Sequence, residues 1–244
     1  MLSRRAERAD DHNRFQRSYF ERSLKRTMVP RDSRYLRRHL GELLRFGGIS
    51  RHERVLEVGC GMGRYTLLLA EQGIAVEGFD LSPVLLDRLR AYRKGGREIP
   101  LHCGDVEDPP PALLGGFDAV AGFFVLHHLK DLPRAFAAMA RMLRPGGRVV
   151  FLEPNAYNPL YYLQIAITPR MTWRGDRGIV KMRRGVIFGA MRDAGLVRPL
   201  MKRFGFFPPF LADSKIGARL EGSLERMPLW SGLLPFQLFS AERS

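Results

Sequence analysis

Residues 55–63 read Val-Leu-Glu-Val-Gly-Cys-Gly-Met-Gly, an apolar run that ends in a loop with glycine at every second position. Arg64 to Gln72 follow as a helical stretch, with Leu67, Leu68, Leu69 and Ala70 as its apolar residues. A strand, a glycine turn and a helix start let backbone approach a ligand closely, because glycine has no Cβ to hold it away. The stretch points to a nucleotide-like cofactor.

Spacing narrows the choice. A dinucleotide fingerprint, G-x-G-x-x-G, would put its third glycine at position 64, but Arg64 stands there and the glycine comes one residue early, at 63. Further segments follow in order. Val76–Asp80 is a short apolar run ending in an acid, and Leu101–Val106 ends in Gly104-Asp105-Val106. Phe117–Phe124 is a third apolar run, followed by Leu126-His127-His128-Leu129. Leu143-Arg144-Pro145-Gly146-Gly147-Arg148 leads into Val149–Leu152.

This succession resembles the class I S-adenosylmethionine-dependent methyltransferases, in the branch with ubiquinone and menaquinone biosynthesis enzymes; the likeness is detailed over residues 52–154. The resemblance implies a Rossmann-like, doubly wound α/β fold: a seven-stranded, mostly parallel sheet with helices on both faces. It also implies S-adenosylmethionine as cofactor. Gly59, Cys60, Gly61 and Gly63 would meet its methionyl part, with Glu57 adding polar contacts there. Asp80 would accept from the ribose hydroxyls beside Leu81, Asp105 and Val106 would meet the adenine, and Phe123 would complete the cofactor wall. No metal is implied.

From residue 55 to residue 152 strands alternate with helices expected at 64–72, 83–92 and 133–143, where Ser82-Pro83 is a cap with proline at the first helical position and Pro133 plays the same part. Strands are expected at 55–58, 75–79, 99–103, 117–122 and 148–152, and terminal ones at 201–207 and 234–241. Residues 1–13 read as a charged, frayed tail. Pro30 divides the helical pattern of Arg14–Phe46 in two. One domain is expected: a helical cap over 1–50, a cofactor core over 51–154, and an insertion with terminal strands over 155–244.

Charge is uneven. Residues 1–54 hold 15 Lys and Arg against 7 acids, 55–154 hold 11 against 12, and 155–244 hold 14 against 6. The net +15 therefore sits on the flanks, where it serves solubility or attracts an anionic acceptor, RNA or an anionic membrane. No separate RNA-binding module appears, and Gly122-Phe123-Phe124-Val125 stands where an N-P-P-[YF] motif would be, which argues against nucleic acid. The two cysteines form no disulfide framework, no apolar run reaches about 18 residues, and the first residues lack a signal-peptide core. A cytoplasmic location is the expectation.

The acceptor side is less defined. His127 and His128 follow the fourth strand, near where the methyl group is expected, and imidazole can take a proton near neutral pH. At most one can face the site, since adjacent side chains diverge. Tyr19 either closes over the cofactor or packs helices. Residues 156–180 carry Tyr157, Tyr161, Tyr162 and Trp173, which either line an acceptor pocket or cover the sheet edge. The expected partner is a small-molecule acceptor, hydrophobic or anionic. A peripheral membrane contact is the alternative, through Tyr157–Ile167 flanked by Arg170 and Arg174.

Overall fold

The computed structural model describes residues 2–22, 28–93, 95, 98–168, 171–227 and 231–244. Side chains of 2–10, 209, 210, 215 and 218 lie outside the description, as does Arg170. Its frame is one seven-stranded sheet: β1 (Arg54–Val58), β2 (Ala75–Asp80), β3 (Leu101–Cys103), β4 (Phe117–Phe123), β5 (Leu143–Pro154), β6 (Leu196–Phe204) and β7 (Phe236–Arg243). The order is β3-β2-β1-β4-β5-β7-β6. Neighbours among β1–β5 pair in parallel, while β7 is antiparallel to both β5 and β6. The sheet is thus the mostly parallel, seven-stranded one expected.

Parallel strands covered on both faces read as continuous apolar runs, and β1 and β4 do so. Val55, Leu56, Val58, Phe117, Val120 and Ala121 are all buried. One face carries α2 (Arg34–Gly47) and α3 (Thr66–Glu71); the other carries α5 (Leu132–Met142) and α8 (Arg184–Asp193). In α2, Leu36, Leu40 and Leu43 recur at helical spacing and are wholly buried, each worth roughly 2 kcal/mol of transfer free energy. Ser33 caps its start by accepting from Leu36 N, and Gly48 closes its end at φ 61°. The Ser82-Pro83 start of α4 (Pro83–Tyr92) is as read, with Leu85 N donating to Ser82 Oγ at 3.2 Å.

Several boundaries differ from expectation. The expected tail is part of α1 (Leu2–Arg22). Leu2–Asn13 lacks an apolar stripe, but Ala, Arg and Glu are good helix formers and carry the helix backwards from its apolar part. The first terminal strand is Leu196–Phe204 rather than 201–207. Pro199 sits at a register shift between Val197 and Leu200, which an edge strand tolerates because no ladder bond is demanded there. The stretch 143–147, expected to lead into a strand at 148–152, already belongs to β5, where Leu143 pairs with Phe117. A Cβ on Gly147 would lie 2.9–3.1 Å from the carbonyls of Arg144, Phe117 and Asp118, so only glycine fits.

The segment after β5 is helical: α6 (Pro159–Ile167), α7 (Trp173–Asp176) and a 3-10 turn over Arg177–Lys181. Asn158 caps α6 by accepting from Leu160 N. Between β6 and β7 lie α9 (Pro209–Ala212) and α10 (Lys215–Leu224). Among the described residues, no helix is long and apolar enough to cross a membrane.

Candidate active site

The carboxyl ends of β1, β2 and β4 open into a cavity of about 620 Å³, the position open α/β sheets reserve for ligands. The glycine loop forms one wall, and its three glycines serve different ends. All have positive φ, at 68°, 51° and 87°. A Cβ on Gly59 would fall 2.4 Å from Val125 Cγ2, and one on Gly63 would fall 2.6 Å from Leu89 Cγ. At Gly61 no atom lies within 4 Å of that position. Gly59 and Gly63 let the chain pack, whereas Gly61 leaves room beside the cavity.

Three acids at strand ends surround the loop. Glu57 is buried, its Oε2 has no hydrogen-bond partner, and burial pushes its carboxyl up to about 8. The Thr66 hydroxyl opposes that rise and the Asp80 charge adds to it. Asp80 accepts from Gly61 N on Oδ2 at 2.8 Å and from Ser82 N on Oδ1 at 2.9 Å. Burial raises its pKa, and these amides oppose the shift. Asp105 makes an Asx-turn, accepting from Glu107 N at 2.9 Å, while its other oxygen accepts from Asn13 Nδ2 of α1 at 2.6 Å.

Beyond β4 the chain turns sharply. Phe124 adopts φ 57°, a left-handed conformation for a bulky residue, and is held there by its N–H donating to Leu152 O at 2.7 Å. The turn aims Val125 N and Leu126 N at Glu153 Oε1, at 2.8 and 2.6 Å. Glu153 Oε2 takes the Nδ1–H of His127 at 2.6 Å, with both side chains buried. A carboxylate on Nδ1 fixes the tautomer and leaves Nε2 as the basic nitrogen at the cavity wall. His128 lines the cavity as well, its ring centroid 3.9 Å from that of His127, so the two side chains do not diverge as expected. The 3-10 turn over Leu126–His128 keeps both on the site, with His128 Nδ1 3.2 Å from Gly175 O and its ring edge-on to Phe20. A Cβ on Gly178 would lie 1.7 Å from His127 O, so the turn is also clamped from behind.

A family profile described as a methyltransferase domain matches residues 56–151. The ubiquinone biosynthesis O-methyltransferase of Chromobacterium violaceum is 30% identical over 188 residues, covering 73% of this chain and 81% of that protein. The chain belongs to the class I S-adenosylmethionine-dependent methyltransferases. Demethylmenaquinone methyltransferase of Tropheryma whipplei is 34% identical over 131 residues, about half of each chain (51% and 53%). In fold alone, the chain resembles a methyltransferase of Thermotoga maritima described as a possible histamine N-methyltransferase. That likeness has a TM-score of 0.65 at 17% identity and covers 94% of this chain and 100% of that one.

Within this methyltransferase the aromatic candidates separate. Tyr161 is on the cavity wall, its ring centroid 6.4 Å from that of His127. Tyr162 is half-buried and donates to Ala156 O at 2.8 Å. Tyr157 and Trp173 are each 53% exposed and off that wall. Tyr19 is buried and donates to Asp176 Oδ2 at 2.9 Å, with Gly175 against its ring. Burial and the Asp176 charge push the Tyr19 phenol up to about 12. Phe123 stacks on Tyr65 at 3.9 Å and 7°, and the Tyr65 hydroxyl is 2.9 Å from His39 Nδ1.

Sequence reasoning missed Glu153, although it ends an apolar strand as Glu57 and Asp80 do. It also missed Phe206, Phe207 and Phe236, which reach the cavity from the far end of the chain without a local pattern. Arg64, directly after the last loop glycine, lines the cavity with a buried, unpartnered Nε. His127, His128 and Asp176 each bring one potential metal-ligating atom to within 4.8 Å of the others.

Proposed function

We propose that this methyltransferase methylates a hydroxyl of a small aromatic acceptor, with His127 receiving the hydroxyl proton. The observation that carries the reading is the buried Glu153–His127 pair, which orients the imidazole at the wall of a cavity lined by aromatic rings. The relatives support oxygen as the methylated atom, since one is a ubiquinone biosynthesis O-methyltransferase.

The residues fit S-adenosylmethionine. Glu57 Oε2, buried without a donor, suits the cofactor's ammonium group, and Gly61 leaves space for the methionyl chain. Asp80 already takes two amides, yet a carboxylate offers about four lone-pair sites, so ribose hydroxyls can be added. Leu81 and Val106 would flank the adenine, and Cys60 and Phe123 the cofactor's inner wall. The oxygen of Asp105 that would meet the adenine amino group holds Asn13, so cofactor entry shares or displaces that bond with α1.

Bound there, S-adenosylmethionine supplies an activated methyl carbon. That carbon would be open to displacement by the acceptor oxygen, and His127 Nε2 would receive the hydroxyl proton. Glu153 stabilises the imidazolium that results, and such a base contributes roughly 10²–10⁴ in rate. Tyr161 and the phenylalanines hold the acceptor ring and exclude water.

A membrane-surface acceptor is a second reading, favoured by α6. Leu160, Leu163 and Ile167 are 65%, 54% and 69% exposed, and Leu160 also borders the cavity. Incubating the protein with S-adenosylmethionine and either a catechol or a primary amine tests the main proposal. Methylation of the catechol that is lost in His127→Ala is expected; turnover of the amine alone overturns it.

A further inference from the structure

Behind His127, on the outer side of α1, lies a second cleft of about 570 Å³. Gln16, His127 and Leu129 line both it and the main cavity. Four cations converge on it: Lys130, Arg174, Arg177 and Lys181. Among the described residues none of them is in an ion pair with a carboxylate, in contrast to Arg37, Arg54 and Arg148, which all are. Asp11 is the one carboxylate on the lining among the described residues, and it is paired with Arg14 at 2.9 Å.

Placing like charges in a concave site is costly unless a counter-ion joins them, and concave walls concentrate the field. The neighbourhood registers that field. Burial lowers the pKa of His12 and of Lys181; nearby Lys181, Lys130 and Arg177 press His12 down further, and Arg177 does the same to Lys181. At Lys181 the lowering comes from burial, since Asp131 raises its pKa by more than Arg177 lowers it and Glu107 raises it as well; the cationic field is registered at His12. Lys181 is fixed in place by donating to Lys130 O at 2.9 Å, and Arg174 lies 4.5 Å over the Phe15 ring. The charges are therefore held around the cleft, and Trp173 and Phe15 give it an apolar side.

We infer that this cleft binds a phosphate ester. Two guanidinium groups match the oxygens of a phosphate in bidentate geometry, and two ammonium groups add point charge. The aromatic side accommodates the ester's carbon part. Such an ester has two sources, a soluble phosphorylated molecule or a phospholipid headgroup beside the exposed face of α6. As a statement about the acceptor, this rests on the function proposed above; as a binding site, it does not.

The experiment uses the whole protein saturated with S-adenosylhomocysteine and follows glycerol phosphate by ³¹P NMR line broadening. Saturable binding is expected, weakened about 10-fold or more in Lys130→Gln/Arg177→Gln through loss of charge-assisted bonds. The variant Lys130→Arg/Arg177→Lys, which keeps the charge, should bind. Unchanged affinity for S-adenosylhomocysteine reports that both variants are folded. A second arm sediments the protein with phosphatidylglycerol or phosphatidylcholine vesicles. Retention on phosphatidylglycerol alone, lost in the glutamine variant and competed by glycerol phosphate, assigns the site to headgroups. Glycerol phosphate binding without retention assigns it to a soluble ester. No saturable binding of either probe, or binding undiminished in the glutamine variant, overturns the inference. Failure of His127→Ala to affect methylation would leave this result standing, and the reverse also holds.

Discussion

At the end of β1, Glu57 sits in apolar surroundings with one oxygen lacking any donor and its pKa pushed up to about 8. Without ligand it is thus mostly protonated at neutral pH. An ammonium group beside it favours the carboxylate, so ligand binding below pH 8 must release a proton. Affinity for S-adenosylhomocysteine should therefore rise from pH 6 to pH 8, by at most about 10-fold per unit, and then level off. Calorimetry at three pH values, in two buffers of different ionisation heat, measures both slope and proton release. A flat profile would remove Glu57 from the cofactor site, and Glu57→Gln should flatten it. At Asp80 the expected loss is larger. Asp80→Ala deletes the acceptor for Gly61 N and Ser82 N as well as for the proposed ribose contacts. Cofactor binding should weaken by about 1.5–3 kcal/mol while the fold survives. Collapse of thermal stability with unchanged binding would make Asp80 a structural residue. The sequence pattern placed both acids at strand ends beside the glycine loop, and the family resemblance assigned them their proposed roles. Glu153 also ends such a strand, but its partners are Val125, Leu126 and His127, at least 26 residues away. Only the parallel pairing of β4 and β5 brings them together.

At the scale of elements, the parallel strands and core helices followed their sequence patterns, while the first terminal strand and the flanking segments did not. Leu2–Asn13 carries no apolar periodicity, so nothing marked it as helix except propensity, which is a weak guide. In the segment after β5, composition identified four aromatics as equals, whereas the structure separates them: Tyr161 and Tyr162 lie on α6, Tyr157 precedes it and Trp173 begins α7. Tyr161 turns inward toward His127, Leu163 turns outward, and Leu160 lies at the cavity's border. Two substitutions on α6 should therefore behave differently. Tyr161→Ala removes a half-buried ring from the cavity wall, lowering stability by about 2 kcal/mol and raising the acceptor KM. Leu163→Ser changes an exposed position and should alter stability by no more than about 0.5 kcal/mol. Thermal melting and acceptor kinetics on both variants check this. Equal effects would mean that α6 packs otherwise than described.

Across the whole molecule, the site and the end of the sheet are separate parts of one cooperative structure. Strand β7 lies between β5 and β6 and holds the sheet's last third together. Its side chains alternate: Leu238 faces the α2 side, while Phe239 and Ala241 face the α5 and α8 side. Phe239 is wholly buried, touches Phe188 at 6.4 Å between centroids, and does not line the cavity. Phe239→Ala should cost about 3–5 kcal/mol, from lost burial and the void left behind. The glycine loop, Glu57 and Asp80 belong to β1 and β2, several strands away in the order. Distant sites that share no partners contribute additively. Ligand at 100 times its Kd stabilises a native state by about 2.7 kcal/mol, so S-adenosylhomocysteine should restore roughly that amount to wild type and variant alike. Urea unfolding with and without ligand measures both increments. A smaller increment in Phe239→Ala would show that β7 packing is coupled to the cofactor site. The path for such coupling would be Phe236, which begins β7 and reaches the cavity wall.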